Sequence, residues 1–332
     1  MTAIVDQVRE GRGTRSRQGK LLSIVIPMHD EEPVLDVLFG RLDAVAAGFG
    51  LSIELVCVDD GSRDATLARL RERARTDSRV KVIALTRNFG KEAALTAGLE
   101  AATGDVVAPL DADLQDPPEL IGEFLDLWEQ GYDVVYGVRA DRSSDTPAKR
   151  LTANLFYRVF NTVSDHAIPA STGDFRLMDR EVVEALKRLP ERNRFMKGLF
   201  AWVGFRQVGV PYTRPERAAG TSSWRYLRLM RFAIDGITSF TTVPLRIWTG
   251  IGLAAAAAAM LYALFLILQV LLYGRDVPGY ASLMVVVLLG FAVQMVALGF
   301  LGEYVGRLYE EVKQRPLYLV RETIGFGAGD AP

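Results

Sequence analysis

Apolar residues in the first 140 positions gather into five short runs, separated by amphipathic stretches. Leu21–Pro27, Ile53–Val58, Val80–Leu85, Val106–Leu110 and Val134–Gly137 are nearly continuous in apolar character. Such runs mark strands buried on both faces. Between them, Glu31–Ala47 carries Val34, Leu35, Leu38 and Leu42 at helical spacing. Ala65–Arg75 is charged and amphipathic, Glu92–Ala102 closes on Thr103-Gly104, and Pro118–Gln130 opens on a pair of prolines. Strands alternating with helices predict an α/β fold with a mainly parallel sheet covered on both faces. Ligands of such sheets bind beyond the carboxyl ends of the strands. Polar clusters follow Pro27, Val58, Leu85 and Leu110 at those ends.

The pattern then changes. A helix is predicted over Pro147–Asn161, and a turn at Ser171–Arg176 leads into a short extended piece. Arg180–Leu189 reads as helix, Gln207–Tyr212 as extended, and Thr213–Ser222 as a polar loop. Trp224, Leu227, Met230, Ile234 and Ile237 recur at helical spacing, with Arg225, Arg228 and Arg231 on another side. A basic amphipathic helix just before a membrane span predicts an interfacial element. Ile247–Gly274 and Val277–Gly302 carry no charge, and each exceeds the ~20 apolar residues that cross a bilayer core. The short connection at Arg275-Asp276 makes them an antiparallel hairpin. Arg246 precedes it, and Arg307, Lys313 and Arg315 follow it. The positive-inside rule therefore puts both ends of the hairpin, and the whole N-terminal domain, in the cytoplasm. The expected division is a mobile basic tail over 1–20, an α/β domain over 21–220, interfacial helices over 221–245, a hairpin over 246–306 and a cytoplasmic tail over 307–332.

Composition narrows the chemistry. Lys and Arg total 39 against 40 Asp and Glu, a net charge of −1, so nothing suggests a nucleic-acid partner. Cys57 is the single cysteine, which excludes an intrachain disulfide and fits a reducing, cytosol-facing location. With it, His29 and His166 make no zinc cluster. The first twenty residues hold no apolar run of the kind a secretory signal needs.

The run Leu110-Asp111-Ala112-Asp113-Leu114-Gln115-Asp116-Pro117 carries the clearest chemistry. Carboxylates one residue apart at a strand end can share a hard divalent cation, Mg²⁺ or Mn²⁺, which completes its shell with substrate phosphates. Asp111 and Asp113 are the candidate ligands, with Gln115 as a third oxygen donor. The substrate this implies is a nucleoside diphosphate derivative.

Taken together, several segments resemble the polyprenyl-phosphate glycosyltransferases of glycosyltransferase family 2. They are Ile24-Val25-Ile26-Pro27 with Glu31-Glu32, Val58-Asp59-Asp60-Gly61-Ser62, Arg87-Asn88-Phe89-Gly90-Lys91, the Asp111–Pro117 run and Gly173-Asp174-Phe175-Arg176. That group includes dolichol-phosphate mannose synthases and bacterial undecaprenyl-phosphate sugar transferases. The likeness spans roughly residues 21 to 320. Two positions depart from it. His29-Asp30 stands where the family has Asn, and Trp224-Arg225 replaces the Lys-Tyr of a Gly-x-Ser-Lys-Tyr-like motif at Gly220. Arg keeps the charge of Lys but not its shape.

The resemblance implies a GT-A type fold and a membrane-bound, inverting transfer of a sugar from a nucleotide donor to a polyprenyl phosphate, for cell-envelope glycosylation. UDP-glucose is the favoured donor, with GDP-mannose as the alternative. It places Asp59 at the nucleobase and Pro27, Glu31, Asp60, Arg87, Lys91, Asp111 and Arg217 along the nucleotide sugar. Arg139, Arg150 and Asn154 would hold the lipid phosphate, with Arg214 a further candidate. Asp113 and Asp174 are the catalytic carboxylates, Asp174 as base or as sugar-positioning group. Plainer roles stay open: first-turn dipole stabilisation for Glu31, a solvated helix position for Lys91, a turn cap for Asp174. Expected partners are membrane lipids, a second copy of the chain, a flippase and a downstream transferase that uses the lipid-linked sugar. Two rivals make different predictions. A processive polysaccharide synthase would carry a Gln-x-x-Arg-Trp motif and more helices, and a non-catalytic membrane scaffold or flippase partner would lack the Asp-x-Asp.

Overall fold

The computed structural model describes residues 14–139, 172–192, 194, 196–213, 243–274 and 279–327. Several expectations lie outside these residues: the helix over 147–161 with Arg150 and Asn154, His166, Arg214, Arg217, the interfacial helix and the Arg275-Asp276 connection.

Eight strands form one sheet: β1 (Leu21–Met28), β2 (Ser52–Asp59), β3 (Val80–Leu85), β4 (Val106–Pro109), β5 (Val134–Arg139), β6 (Thr172–Asp179), β7 (Gln207–Tyr212) and β8 (Val320–Ile324). Their order is β7-β5-β6-β4-β1-β2-β3-β8. β1 pairs in parallel with β2 and β4, β2 with β3, and β5 with β7, whereas β6 and β8 run antiparallel to their neighbours. Among the described residues the helices in the sheet domain are α1 (Leu35–Ala46), α2 (Thr66–Thr76), α3 (Lys91–Ala101), α4 (Leu120–Glu129), α5 (Arg180–Lys187) and α6 (Met196–Trp202). A 3-10 turn over Glu32–Val34 precedes α1.

Successive side chains of a strand point to opposite faces, and the two cores divide accordingly. Ile24 and Ile26 pack with Leu35, Leu38, Leu70 and Phe124 from α1, α2 and α4. Val25, Val56 and Val58 pack with Leu95, Val182 and Leu199 from α3, α5 and α6. Both faces are covered, which is why these strands read as unbroken apolar runs. The order reverses at β1, which has β2 on one side and β4 on the other. A crevice therefore opens at the carboxyl ends of β1 and β4. The last β1–β4 pair is Val25 with Pro109, so Pro27 and Asp111 lie just beyond it, at the mouth of the crevice.

Two further helices, α7 (Val243–Tyr273) and α8 (Tyr280–Val312), follow the sheet strands, and Glu311 near the end of α8 accepts from Arg192 N of the sheet domain at 3.1 Å. Ile247–Leu272 and Leu283–Val312 have mean hydropathies of 2.4 and 2.5, long and apolar enough to cross a membrane, and neither is buried by the rest of the chain. Trp248 near the start of α7 lies 5.4 Å, centroid to centroid, from Phe300 of α8, as an antiparallel hairpin requires. At 1.5 Å per residue, helices of 31 and 33 residues span about 47 and 50 Å, well beyond the ~30 Å hydrocarbon core. α8 continues past the predicted end at Gly302 through the polar stretch Glu303–Val312, where Arg307 pairs with Glu303 at 2.9 Å.

Three expectations need correction, and one element was not anticipated. The described part of the basic tail is pinned: Arg15 N–H donates to the Glu129 carbonyl at 2.8 Å, and its guanidinium contacts Asp133. Arg17 bonds Glu129 at 2.8 Å, and Lys20 bonds Asp105 at 2.8 Å. Acidic residues around α4 and β4 draw in what looked like a free basic segment. Gly173-Asp174-Phe175-Arg176 is part of strand β6 rather than a turn before one, because β6 zips between β4 and β5. α6 was not anticipated; it is only seven residues long. Lastly, the segment after the hairpin is more than a tail. It returns to the sheet as β8, where Leu319 O accepts from Thr86 N at 2.9 Å, Glu322 pairs with Arg71, and the Tyr318 hydroxyl bonds Glu100.

Candidate active site

Three loops at the carboxyl ends of β1, β2 and β3 are tied together by backbone-directed bonds. After β2, Asp60 is buried, and its carboxylate accepts from Phe89 N at 2.7 Å and Gly90 N at 2.9 Å. Its own N–H donates to Met28 O, and its carbonyl faces His29 Nδ1 at 2.9 Å. Asp60 thus fixes the loop carrying Arg87 and Lys91 rather than leaving its oxygens free in the cleft. Burial raises the Asp59 and Asp60 carboxyls above their ordinary values, partly offset by bonds from Ser62 to Asp59 and from Phe89 and Gly90 to Asp60. His29, one of the departures from the family pattern, sits in this junction. Asp30, with φ +55, accepts from Arg63 N and donates to the Ser62 hydroxyl. Glu31 N–H donates to Thr66 Oγ1 at 2.9 Å. Arg87 is exposed, with its guanidinium 4.0 Å from the Phe89 ring centroid.

The Asp-x-Asp loop leaves β4 between a half-buried Asp111 and a half-buried Asp113. Asp113 Oδ1 accepts from Gln115 N at 3.1 Å. Leu114 adopts φ +57, a left-handed conformation that costs roughly 1–2 kcal/mol for a residue with a Cβ. Its side chain is 3% exposed, and burying a leucine contributes about 1.5–3 kcal/mol. The buried leucine therefore anchors a strained turn directly after Asp111-Ala112-Asp113. Both are hard oxygen donors of the kind Mg²⁺ and Mn²⁺ take. Among the described residues no group of three or more acidic or histidine side chains converges.

Asp174 comes to the same place from β6. Lys91, the first residue of α3, bridges the two carboxylates: its Nζ lies 2.7 Å from Asp111 Oδ1 and 2.8 Å from Asp174 Oδ2. Burial pushes the Asp174 carboxyl up, but the charges of Lys91, Lys197 and Arg176 outweigh it and hold the group well below the ordinary carboxylate range. Burial likewise lowers Lys91, and Asp174 and Asp111 more than reverse this. Arg176 is buried against the Phe200 ring at 3.6 Å and donates to the Gly173 and Asp174 carbonyls. Burial lowers it to about 10, opposed by Asp174, so it stays charged at neutral pH.

Arg139 ends β5 beside this group. A Cβ on Gly173 would lie 3.4 Å from its Nη2, so the guanidinium rests against the backbone next to Asp174. It also bonds Tyr212 of β7, whose hydroxyl donates to buried Asp116 at 2.5 Å. Pro27, Glu31, Asp59, Asp60, Arg87, Lys91, Asp111, Asp113, Gln115, Arg139 and Asp174 thus all lie on the carboxyl-end side of the sheet or the loops leading from it. Sequence reasoning gave no role to Arg176, Lys197, Asp116 or Tyr212. Arg176 and Asp116 stood inside recognised motifs and could have been found there. Lys197 lies on the unpredicted α6 and left no signal.

The family model described as glycosyl transferase family 2 matches residues 23–187. An uncharacterised glycosyltransferase of Synechocystis is 52% identical over 304 residues, covering 92% of this chain and 96% of that protein. A prophage-derived bactoprenol glucosyl transferase of Shigella flexneri is 45% identical over 302 residues, covering 91% and 98%. Among solved structures, the glucosyl-3-phosphoglycerate synthase of M. tuberculosis is similar with a TM-score of 0.46 and 20% identity, over 66% of this chain and 79% of that one.

Proposed function

Because the chain belongs to glycosyltransferase family 2 and has its GT-A type fold, we propose that it moves a hexose, glucose first, from a nucleoside diphosphate to a polyprenyl phosphate at the cytoplasmic face of a membrane. The observation that carries this reading is β8. The chain leaves the sheet domain for two long apolar helices and then comes back to pair with β3 of that same domain. A sugar-transfer site tied through β8 to the far end of such a hairpin would stand within reach of a lipid acceptor in a membrane. The names of the curated relatives point to bactoprenol and to glucose.

Asp111 and Asp113, with Gln115 beside them, would hold Mg²⁺ or Mn²⁺, which when bound neutralises the diphosphate leaving group. An oxygen of the lipid phosphate attacks the anomeric carbon as the bond from that carbon to the diphosphate oxygen breaks, which inverts the configuration. A phosphate monoester has its second pKa near 6 and is largely dianionic at neutral pH, so the attack needs no strong base. Asp174, kept ionised by Lys91, Lys197 and Arg176, is a poor proton acceptor and positions the sugar. Arg139 supplies the cation beside it, with Arg150 and Asn154 as further phosphate ligands and Arg217 toward the donor.

Two experiments test this. Purified protein given Mg²⁺ or Mn²⁺, undecaprenyl phosphate and a panel of UDP-glucose, UDP-galactose and GDP-mannose should move label from UDP-glucose into the lipid phase. Label from GDP-mannose alone would make it a mannosyltransferase, and no transfer from any donor would favour a non-catalytic scaffold. For topology, cysteines are placed singly at Gly274 and Lys313; native Cys57 is fully buried and silent. A membrane-impermeant thiol reagent applied to whole cells should label position 274 and spare 313. Labelling of 313 would overturn the cytoplasmic placement.

A further inference from the structure

We propose that Lys91 is a built-in counter-cation of the site: it holds Asp111 and Asp174 together in the metal-free protein and must release Asp111 when a divalent cation binds. The inference rests on the reading of Asp111 and Asp113 as metal ligands.

Sheet register puts the two carboxylates side by side. β4 and β6 run antiparallel, with Val107 opposite Met178. Asp111 lies four residues beyond Val107 on one chain segment, and Asp174 four before Met178 on the other. Continued past the end of the ladder, the register makes them neighbours, and like charges directly opposite repel. Lys91 comes from the helix layer and separates them.

The cation is there against local preference. Lys91 begins α3, and the positive end of a helix disfavours a cation. The backbone before it is specially built: Gly90 has φ +102, open to glycine, and its N–H is held by Asp60. Stability is a weak reason for such an arrangement. The Lys91 side chain is 43% exposed and that of Asp111 27%, and exposed ion pairs contribute little to stability.

Geometry makes the pair competitive with a metal. Lys91 Nζ lies 2.7 Å from Asp111 Oδ1 and 2.8 Å from Oδ2, so both oxygens face the ammonium. A Mg²⁺ at about 2.0–2.1 Å from either oxygen would sit against it. The flexible stem of lysine lets the ammonium swing away while it keeps Asp174. Released from Asp111, it remains at the start of α3, facing the space that the donor diphosphate would fill. The site exchanges one positive charge for another as it loads, so Asp111 and Asp174 never face each other uncompensated.

The test is direct Mn²⁺ binding to the full-length protein in detergent, without nucleotide, read from the free-Mn²⁺ paramagnetic resonance signal. Lys91→Met should bind Mn²⁺ several-fold to about tenfold more tightly than wild type, as expected from removing a competitor worth roughly 1 kcal/mol, while its sugar transfer falls. Lys91→Arg, which keeps the charge, should stay near wild-type affinity. Asp113→Asn should weaken binding. Unchanged or weaker Mn²⁺ binding by Lys91→Met, with Asp113→Asn still weakened, would overturn the competition and leave the metal site standing. Unchanged binding by Asp113→Asn would overturn the metal reading itself, and the proposal with it.

Discussion

Asp113→Asn should lose about a hundredfold or more of its sugar-transfer rate while keeping its fold. A metal that stabilises the departing diphosphate contributes several kcal/mol at the transition state, and about 1.4 kcal/mol corresponds to each factor of ten. Removing one anionic ligand forfeits much of that. Asparagine retains a side-chain oxygen to accept the Gln115 N–H bond, and Leu114 still anchors the loop in the core. The melting temperature should therefore move little. The check is turnover against Mn²⁺ and Mg²⁺ concentration, with thermal unfolding in parallel. Near-wild-type turnover with an unchanged metal requirement would show that these carboxylates are not the metal site.

A second large effect is expected at Gly61, a residue with no side chain of its own. It has φ +66, and a Cβ there would lie 2.5 Å from Arg87 C and 2.7 Å from Asn88 N. These are backbone atoms that cannot rotate aside. Gly61→Ala must therefore push the Arg87–Gly90 loop away, and through the Asp60 bonds to Phe89 and Gly90 it also moves Lys91. The left-handed conformation itself adds roughly 1–2 kcal/mol of strain. We expect a clear drop in melting temperature, and at least a tenfold loss of donor affinity by calorimetry, since the strain and the clash together exceed the ~1.4 kcal/mol of one decade. Gly122→Ala is the control: on α4 with nothing within 4 Å of a Cβ, it should be neutral or stabilising by up to about 1 kcal/mol. Wild-type melting and donor affinity in Gly61→Ala would refute the claim that this contact sets the loop.

Much of the domain was legible because its information is local. β3 was read at its observed limits, Val80–Leu85, and β1, β2, β4 and α3 within a residue or two, since strands buried on both faces stay apolar throughout and their helices keep a 3.6-residue period. The grouping of Pro27, Asp59, Arg87 and Asp111 followed from alternation alone, which places every βα loop on one side of a parallel sheet. His29 also stood out in the sequence, but that its ring faces the Asp60 carbonyl did not.

What tertiary structure decided are contacts between segments whose local patterns are silent about each other. Val320–Ile324 mixes Arg321 and Glu322 with apolar residues, and nothing in five such residues names β3, more than two hundred positions earlier, as their partner. The exposed edge of β3 and the exit of α8 bring them together. Arg15 and Arg17 look like a solvated basic tail until the folded α4 presents Asp126 and Glu129, and the loop after it Asp133, to them. The sequence by itself determined the parallel strands of the sheet, its ligand edge, the Asp-x-Asp and the apolar hairpin, because periodicity, chain reversal and side-chain chemistry are each properties of one short stretch. The bridge of Lys91 between Asp111 and Asp174 was left to the tertiary structure. It needs a helix start, a strand end and an antiparallel register to converge within hydrogen-bond distance, and only the packed sheet and its helix layer set that distance.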